Sequence, residues 1–274
     1  MPELPEVEVL RRSLEPMILG DSVQAVSVAD PRLRERVDVD RLEAFTIGRK
    51  VVGTRRRAKY LIVDLDNEHS LVVHLGMSGR LTLVPKDTPR LRHEHVSLSM
   101  ASQRKLRFVD TRRFGLVFAI RSAAIESDRH FAHLGVEPFT DQFDGGFLHS
   151  AAQRRRGPVK NFIMNSEIVV GVGNIYACEA LYRARIHPAR SVARISKRRW
   201  ALLSQAIKET LGEAIEQGGT TLNDFADAAG QEGYFRVSLE AYGREAERCR
   251  RCGAAIRRRV QAGRSTFYCP GCQR

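Results

Sequence analysis

The chain has 274 residues, enough for two domains with their own cores. Its 45 Lys and Arg against 32 Asp and Glu leave a net charge of +13, which favours a polyanionic partner (nucleic acid or an acidic membrane surface) and says nothing about fold. No apolar run approaches the roughly 20 residues of a membrane span. The acidic, polar N-terminus does not read as a signal peptide, so a soluble cytoplasmic protein is expected.

Residues 3–19 read as a helix. Leu4, Val7, Leu10, Leu14, Met17 and Ile18 share one face, and Gly20 marks the stop. The stretch from Met1 to Glu8 carries a chemical possibility. With Met1 removed, the nitrogen of Pro2 is a secondary amine, able to attack an electrophilic carbon and form an iminium, and Glu3 and Glu6 follow as proton donors or acceptors. An unperturbed terminal amine titrates at about 7.7–8, so a usable fraction is neutral at physiological pH. The same residues suit an ordinary helix start, with proline at the first position and acids in the first turn. Taken alone, they fit that plainer reading better.

Residues 22–120 are β-rich. Segments 23–28, 50–54, 60–65, 71–75, 81–84, 96–100, 106–109 and 116–120 are short and regularly spaced, which suggests a sandwich or barrel. Asp66-Asn67 and Ser102-Gln103 are the expected tight turns, and a short helix near 38–45 interrupts the strands. Lys59, following Arg55, Arg56 and Arg57, reads by itself as part of a basic strand edge. From about 122 the pattern turns helical, with segments near 123–131, 141–152, 158–165, 174–186 and 196–217. The last opens after Ser196, a good cap, and ends at Gly218-Gly219. Residues 219–235 are too long for a simple connection and suit a lid or binding loop.

Cys249-x-x-Cys252 and Cys269-x-x-Cys272 are separated by sixteen residues, the spacing of a four-thiolate zinc ribbon. All four positions would be filled, so this zinc is expected to be structural. Cys178 lies outside the set and reads as a small apolar filler. Residues 244–274 hold nine Arg against Glu245 and Glu247, and Arg257, Arg258, Arg259 and Arg264 fall between the cysteine pairs, where a rigid hairpin would suit phosphate contact.

Six separated stretches together resemble the formamidopyrimidine-DNA glycosylases, bacterial base-excision repair enzymes related to the endonuclease VIII group. They are residues 2–8, 58–61 (Ala58 to Leu61), 74–79 (His74 to Gly79), 110–115 (Asp110 to Gly115), 171–177 (Gly171 to Ala177) and 263–273. The resemblance implies an α+β multidomain fold. An N-terminal β-sandwich with a leading helix (1–130) precedes a helix–two-turn–helix domain (131–235, with a lesion-recognition loop at 219–235) and a C-terminal zinc finger (236–274). Duplex DNA would lie in the cleft between domains. The implied protein is a monomer holding one structural Zn2+, and its partner is damaged double-stranded DNA, not a membrane.

By the same resemblance, Pro2 attacks C1′ of the damaged nucleotide and displaces the base, and both flanking phosphates leave by successive β- and δ-elimination. Glu3 is implied as the acid that protonates the sugar ring oxygen, and Glu6 as a supporting proton-transfer group. Lys59 would stand beside the reacting sugar, where its charge lowers the amine's pKa and stabilises developing negative charge. Met77, Arg112 and Phe114 match residues that fill the hole left by the everted base. Phosphate contacts are implied for His93, Lys160, Asn174, Tyr242 and Arg264, the last also grouped with the catalytic set. Gly171 and Gly173 before Asn174 would let backbone N–H groups at a helix start face an anion, which is plausible without the family. Thr111, Asn165, Ser166, Asn223 and Ala241 depart from the family's usual residues.

The expected function is therefore a DNA glycosylase/AP lyase for oxidised purines such as 8-oxoguanine and formamidopyrimidines. Two alternatives are an endonuclease VIII-like preference for oxidised pyrimidines and a non-catalytic zinc-ribbon protein that only binds DNA.

Overall fold

The computed structural model describes residues 2–219 and 239–274. They form two compact units, the first comprising residues up to Ala132 together with the segment from Gly218, the second His133–Gln217 together with the C-terminal segment.

The first unit begins with α1 (Leu4–Ile18). Leu4, Val7, Leu10, Leu14 and Ile18 are at most 1% exposed, a stripe at helical spacing in which each side chain contributes about 1.5–3 kcal/mol by burial. Behind it stand two four-stranded antiparallel sheets. One has the order β1 (Val23–Val28), β6 (Glu94–Met100), β7 (Arg104–Val109), β5 (Arg80–Pro85). The other has the order β2 (Val51–Arg57), β3 (Tyr60–Leu65), β4 (His69–His74), β8 (Leu116–Arg121). α2 (Val39–Thr46) is capped by Asp38, whose side chain accepts from the Arg41 N–H.

The expected turns at Asp66-Asn67 and Ser102-Gln103 are three-residue hairpin loops closing on Glu68 and Gln103, both in the left-handed region. The second expected strand runs on to Arg57, pairs with Tyr60, and leaves Ala58 and Lys59 as a two-residue turn. Lys59 therefore sits on a hairpin tip rather than a strand edge. The expected helix over 123–131 is absent apart from a 3-10 turn at Ser122–Ala124. The Asp128 carboxylate accepts from the backbone N–H of His130 at 2.9 Å, a local bond that competes with helix continuation.

The second unit contains α3 (Gly145–Ala152), α4 (Val159–Ile163), α5 (Asn174–Arg183) and α6 (Lys197–Glu216). Trp200, Leu203, Ile207 and Leu211 of α6 pack with Tyr176, Leu181 and Phe162 in one core. Ser196 caps α6 as expected, accepting from the Arg199 N–H. A hairpin of β9 (Arg257–Gln261) and β10 (Arg264–Tyr268) follows. Ala262 and Gly263 both have positive φ, the conformation of a tight two-residue hairpin turn, so Arg264 stands at its tip. Among the described residues no helix is long and apolar enough to cross a membrane.

Candidate active site and nucleic-acid interface

Glu3 is the N-cap of α1, and Pro5, not Pro2, occupies the proline position inside the helix start. Pro2 therefore lies before the cap, outside the helical hydrogen-bonding pattern. The Glu3 N–H donates to the Glu6 carboxylate at 2.7 Å, one half of a capping box. Glu3 and Glu6 are each 2% exposed, and Pro2 is buried as well. Of the plain reading as a helix start, Glu6 is the acid in the first turn, Glu3 is the cap rather than a first-turn residue, and the proline at the helix start is Pro5, so that reading does not account for Pro2. Gly219, in the same unit, comes close enough that a Cβ there would lie 3.3 Å from the Glu6 side chain.

The turn carrying Lys59 is tied back to α1. Glu8 accepts from Arg11 and Arg12 and pairs with Arg56 at 3.4 Å, and Arg56 donates to the Ala58 carbonyl at 2.9 Å. Further along the helix, Glu15 accepts from the Thr54 N–H at 3.2 Å and from Arg11 at 2.8 Å. Helix and hairpin are laced along their length. Ala58 holds φ at 54°, a conformation that side-chain-bearing residues adopt at a cost of order 1–3 kcal/mol. This anchoring network was not visible in the sequence, where Glu8 and Arg56 look like ordinary surface charges.

His74, at the end of β4, pairs with Tyr60 across the sheet, their rings 4.8 Å apart. Its Nδ1 accepts from the Gly76 N–H at 3.0 Å. Burial, reinforced by the positive charges of Lys59 and Arg34, pushes its pKa down to about 4. The folded state therefore keeps His74 neutral over a range where the unfolded chain protonates it. Stability from this group is present above the unfolded value of 6.5 and is lost as pH falls through that value toward 4. His74→Gln should flatten the fall of Tm between pH 6.5 and 4 relative to the parent, as read by scanning calorimetry; identical slopes would contradict this.

Met77 is half-buried, whereas Arg112 and Phe114 are exposed, with the Arg112 guanidinium 5.0 Å from the centre of the Phe114 ring. The two loops that carry them touch backbone to backbone. Gly76 has φ +64°, and a Cβ there would meet the Phe114 carbonyl carbon at 2.4 Å and the Gly115 nitrogen at 2.5 Å. Gly76→Ala should cost about 3 kcal/mol, from left-handed strain and steric overlap together. A urea midpoint unchanged from the parent would refute that. His93 is half-buried with φ 65° and accepts from the Asp110 N–H through its carbonyl at 3.0 Å.

In the second unit, Asn174 is the first residue of α5. Gly173 is its N-cap, with no side-chain capping bond and no acid in the first turn. Lys160 is turned inward, 1% exposed. Its Nζ donates to Asn174 Oδ1 at 2.5 Å and to Thr266 Oγ1 at 2.7 Å, while Asn174 Nδ2 donates to the Ser265 carbonyl at 2.9 Å. This network joins α4, α5 and the hairpin that presents exposed Arg264. Lys160 thus faces Asn174 and Thr266 rather than solvent. Thr266 was not singled out in the sequence, because its partner lies 106 positions away.

Tyr242 packs edge-on against Phe267, ring centres 5.0 Å apart. Its N–H, with those of Glu240 and Ala241, donates to the Glu179 carboxylate at 2.8–3.0 Å. Burial raises the pKa of Glu179, and these three bonds oppose the rise. Glu179 is a further residue that sequence reasoning missed. Its signal was an acid within the otherwise buried stretch Ile175–Tyr182.

The Sγ atoms of Cys249, Cys252, Cys269 and Cys272 all lie within 4.8 Å of one another, with Cys249–Cys272 at 3.9 Å and Cys252–Cys269 at 3.4 Å. Four thiolates at about 2.3 Å from one tetrahedral zinc would be about 3.8 Å apart, so the set fits that ion with no open position. Cys249 also accepts from the Arg251 N–H and sits 3.2 Å from the Tyr182 hydroxyl, contacts that orient a ligand from outside its coordination shell. Cys178 is buried in α5, apart from the set.

Residues 220–238, which include Asn223 and nearly all of the expected recognition loop, lie outside the described residues.

Comparison with known proteins gives a consistent result. Residues 1–117 match the formamidopyrimidine-DNA glycosylase N-terminal domain family, 134–226 the H2TH domain family of the same enzymes, and 246–274 the zinc finger found in FPG and IleRS. The formamidopyrimidine-DNA glycosylase of Syntrophotalea carbinolica is 49% identical over 274 residues, covering all of both chains. The Lactococcus lactis Fpg, in complex with DNA containing an N7-benzyl-Fapy-dG, superposes with a TM-score of 0.91 at 32% identity over the whole of both chains. A second complex of that protein, with DNA containing an oxidised pyrimidine, matches equally well, again with a TM-score of 0.91 and 32% identity over both full chains.

Proposed function

The chain belongs to the formamidopyrimidine-DNA glycosylase family, and from that premise we propose the part that each residue plays. The protein is a base-excision repair DNA glycosylase with AP lyase activity, removing oxidised purines from duplex DNA. One structural zinc is held by Cys249, Cys252, Cys269 and Cys272.

The observation that carries the reading is the position of Pro2, buried before a cap made by Glu3 and beside Glu6. With Met1 removed, its nitrogen lone pair attacks C1′ and the bond to the damaged base breaks. Glu3 protonates the ring oxygen as the sugar opens, leaving an iminium that acidifies C2′. Loss of the 3′ and then the 5′ phosphate completes strand scission. Glu6, bonded to the Glu3 N–H, fixes the cap and takes part in proton transfer. Lys59, on a hairpin tip anchored through Arg56 and Glu8, holds positive charge at the sugar and its phosphate.

Met77, Arg112 and Phe114 fill the stack after eversion. Phe114 stacks, Met77 wedges, and Arg112 hydrogen-bonds the orphaned base. His93, Asn174, Tyr242 and Arg264 take phosphates, and Lys160, being buried, acts on that set through Asn174. The working domain division is 1–130, 131–235 and 236–274, supported by the extents of the three family matches. The protein acts on damaged duplex DNA as a cytoplasmic monomer.

Because a relative has been captured with an oxidised pyrimidine, lesion preference is the point to test. Single-turnover cleavage of duplexes carrying 8-oxoguanine or thymine glycol should favour 8-oxoguanine. A reversed preference would support the pyrimidine reading, and salt-sensitive binding without cleavage of either would support a binding-only protein.

A further inference from the structure

We propose that Asp110 is the positioning residue for Met77, Arg112 and Phe114, clamping their two loops into one rigid insert. This rests on the reading of those three side chains as the group that enters the base stack.

Asp110 lies just after β7 and is fully buried, 0% exposed. Its carboxylate bonds both loops. Oδ1 accepts from the Ser78 hydroxyl at 2.5 Å and from the Arg112 N–H at 3.2 Å, and Oδ2 accepts from the Gly115 N–H at 2.8 Å. The Arg112 N–H also reaches Ser78 Oγ at 3.1 Å. Its main chain secures a third segment, the N–H donating to the His93 carbonyl at 3.0 Å and the carbonyl accepting from His95 Nε2 at 2.8 Å. One residue thus joins the Met77 loop, the Arg112–Phe114 loop and the segment of His93.

Among the described residues no cation pairs with this carboxylate. A buried charge without a counter-ion is costly and depends on all of its hydrogen bonds. An apolar side chain would serve packing better. The carboxylate instead supplies acceptors at three separate places, two of them flanking Phe114 and one beside Met77. Gly76 and Gly115 permit the close approach. A Cβ at Gly76 would overlap the 114–115 backbone, and one at Gly115 would lie 2.9 Å from the His74 carbonyl and 3.1 Å from Asp110 Oδ2. Side chains that must replace a base in a stack need such a fixed footing, because a displacement of about 1 Å can cost on the order of a hundredfold in rate.

The test is Asp110→Asn, whose amide keeps one acceptor oxygen and puts an NH2 donor in place of the other, so that either the Gly115 N–H or the Ser78 hydroxyl and Arg112 N–H lose their acceptor. Single-turnover excision is measured on two duplexes, one with 8-oxoguanine opposite cytosine, the other with 8-oxoguanine opposite an abasic analogue. The second has no pair to break and no orphaned base to hold. The variant should lose about tenfold or more on the paired duplex and much less on the unpaired one. Equal losses on both, or no loss on either, would overturn the proposal.

Should Asp110→Asn not fold, Ser78→Ala removes the two bonds made by its hydroxyl, leaves the Gly115 bond in place, and should show the same disparity at smaller size. Its absence there would equally overturn the proposal. Arg112→Ala and Phe114→Ala are run in parallel. If they show no disparity, the stack-filling reading itself fails. If they show it and the clamp variants do not, Asp110 is not its support.

Discussion

Protein that keeps Met1 should bind damaged duplex and leave it uncut. Acylation by Met1 converts the Pro2 nitrogen to an amide, whose lone pair is delocalised into the carbonyl and unavailable for attack on C1′. The check is to separate processed from unprocessed protein, verify each by intact mass, and assay scission of an 8-oxoguanine duplex. Processed protein should carry all the activity. Glu3→Gln in processed protein should lower excision by about 10²–10⁴-fold, the range for loss of a positioned acid. Full activity with Met1 attached would exclude Pro2 as the nucleophile.

Cys252→Ser should abolish the zinc finger as a folded element and with it most of the DNA affinity. The apolar cluster around the site is small: Tyr182, Ala241, Cys249, Ile256, Phe267 and Cys269, two of them ligands themselves. Such a core cannot replace a metal whose binding provides roughly 10–16 kcal/mol in comparable zinc peptides. β9 and β10 would then lose their frame, and Arg264 and Thr266 their fixed positions. Asn174 and Lys160 would lose their bonds to Ser265 and Thr266. We expect duplex affinity to fall at least a hundredfold, about 2.7 kcal/mol. The sandwich around α1 should keep its own unfolding transition. Tight binding by a zinc-free variant, with metal content measured, would refute this. The closed zinc set predicts in addition that scission persists in the presence of a magnesium chelator.

Much of the first unit could be read from alternation and helical spacing, because one face of each element is buried and the apolar pattern records it. Val23–Val28 and Tyr60–Leu65 fall at their expected bounds. The Ala58-Lys59 turn was hidden for a physical reason. It lacks the glycine, asparagine or aspartate that marks a tight hairpin, and Ala58 is held at positive φ by its surroundings. The helix expected at 123–131 fails because composition does not reveal that Asp128 will bond the chain two residues on.

The cysteine spacing announced a metal site since all four ligands lie in two local pairs. Pro2 was ambiguous until the helix boundary fell after it, at Leu4. The supports were not legible at all. Asp110 and Ser78 are 32 positions apart, and Lys160 and Thr266 are 106 apart. Nothing in local pattern announces a bond between residues so distant in sequence.

The central claim, that Pro2 forms an iminium with the sugar of an oxidised purine nucleotide, is tested most directly by borohydride trapping. Processed protein is mixed with an 8-oxoguanine:cytosine duplex and reductant, and the cross-linked peptide is mapped by mass. The account predicts one adduct, on the peptide that begins at Pro2. An adduct on Lys59 or another lysine, or no adduct from processed protein that binds the duplex tightly, would contradict it.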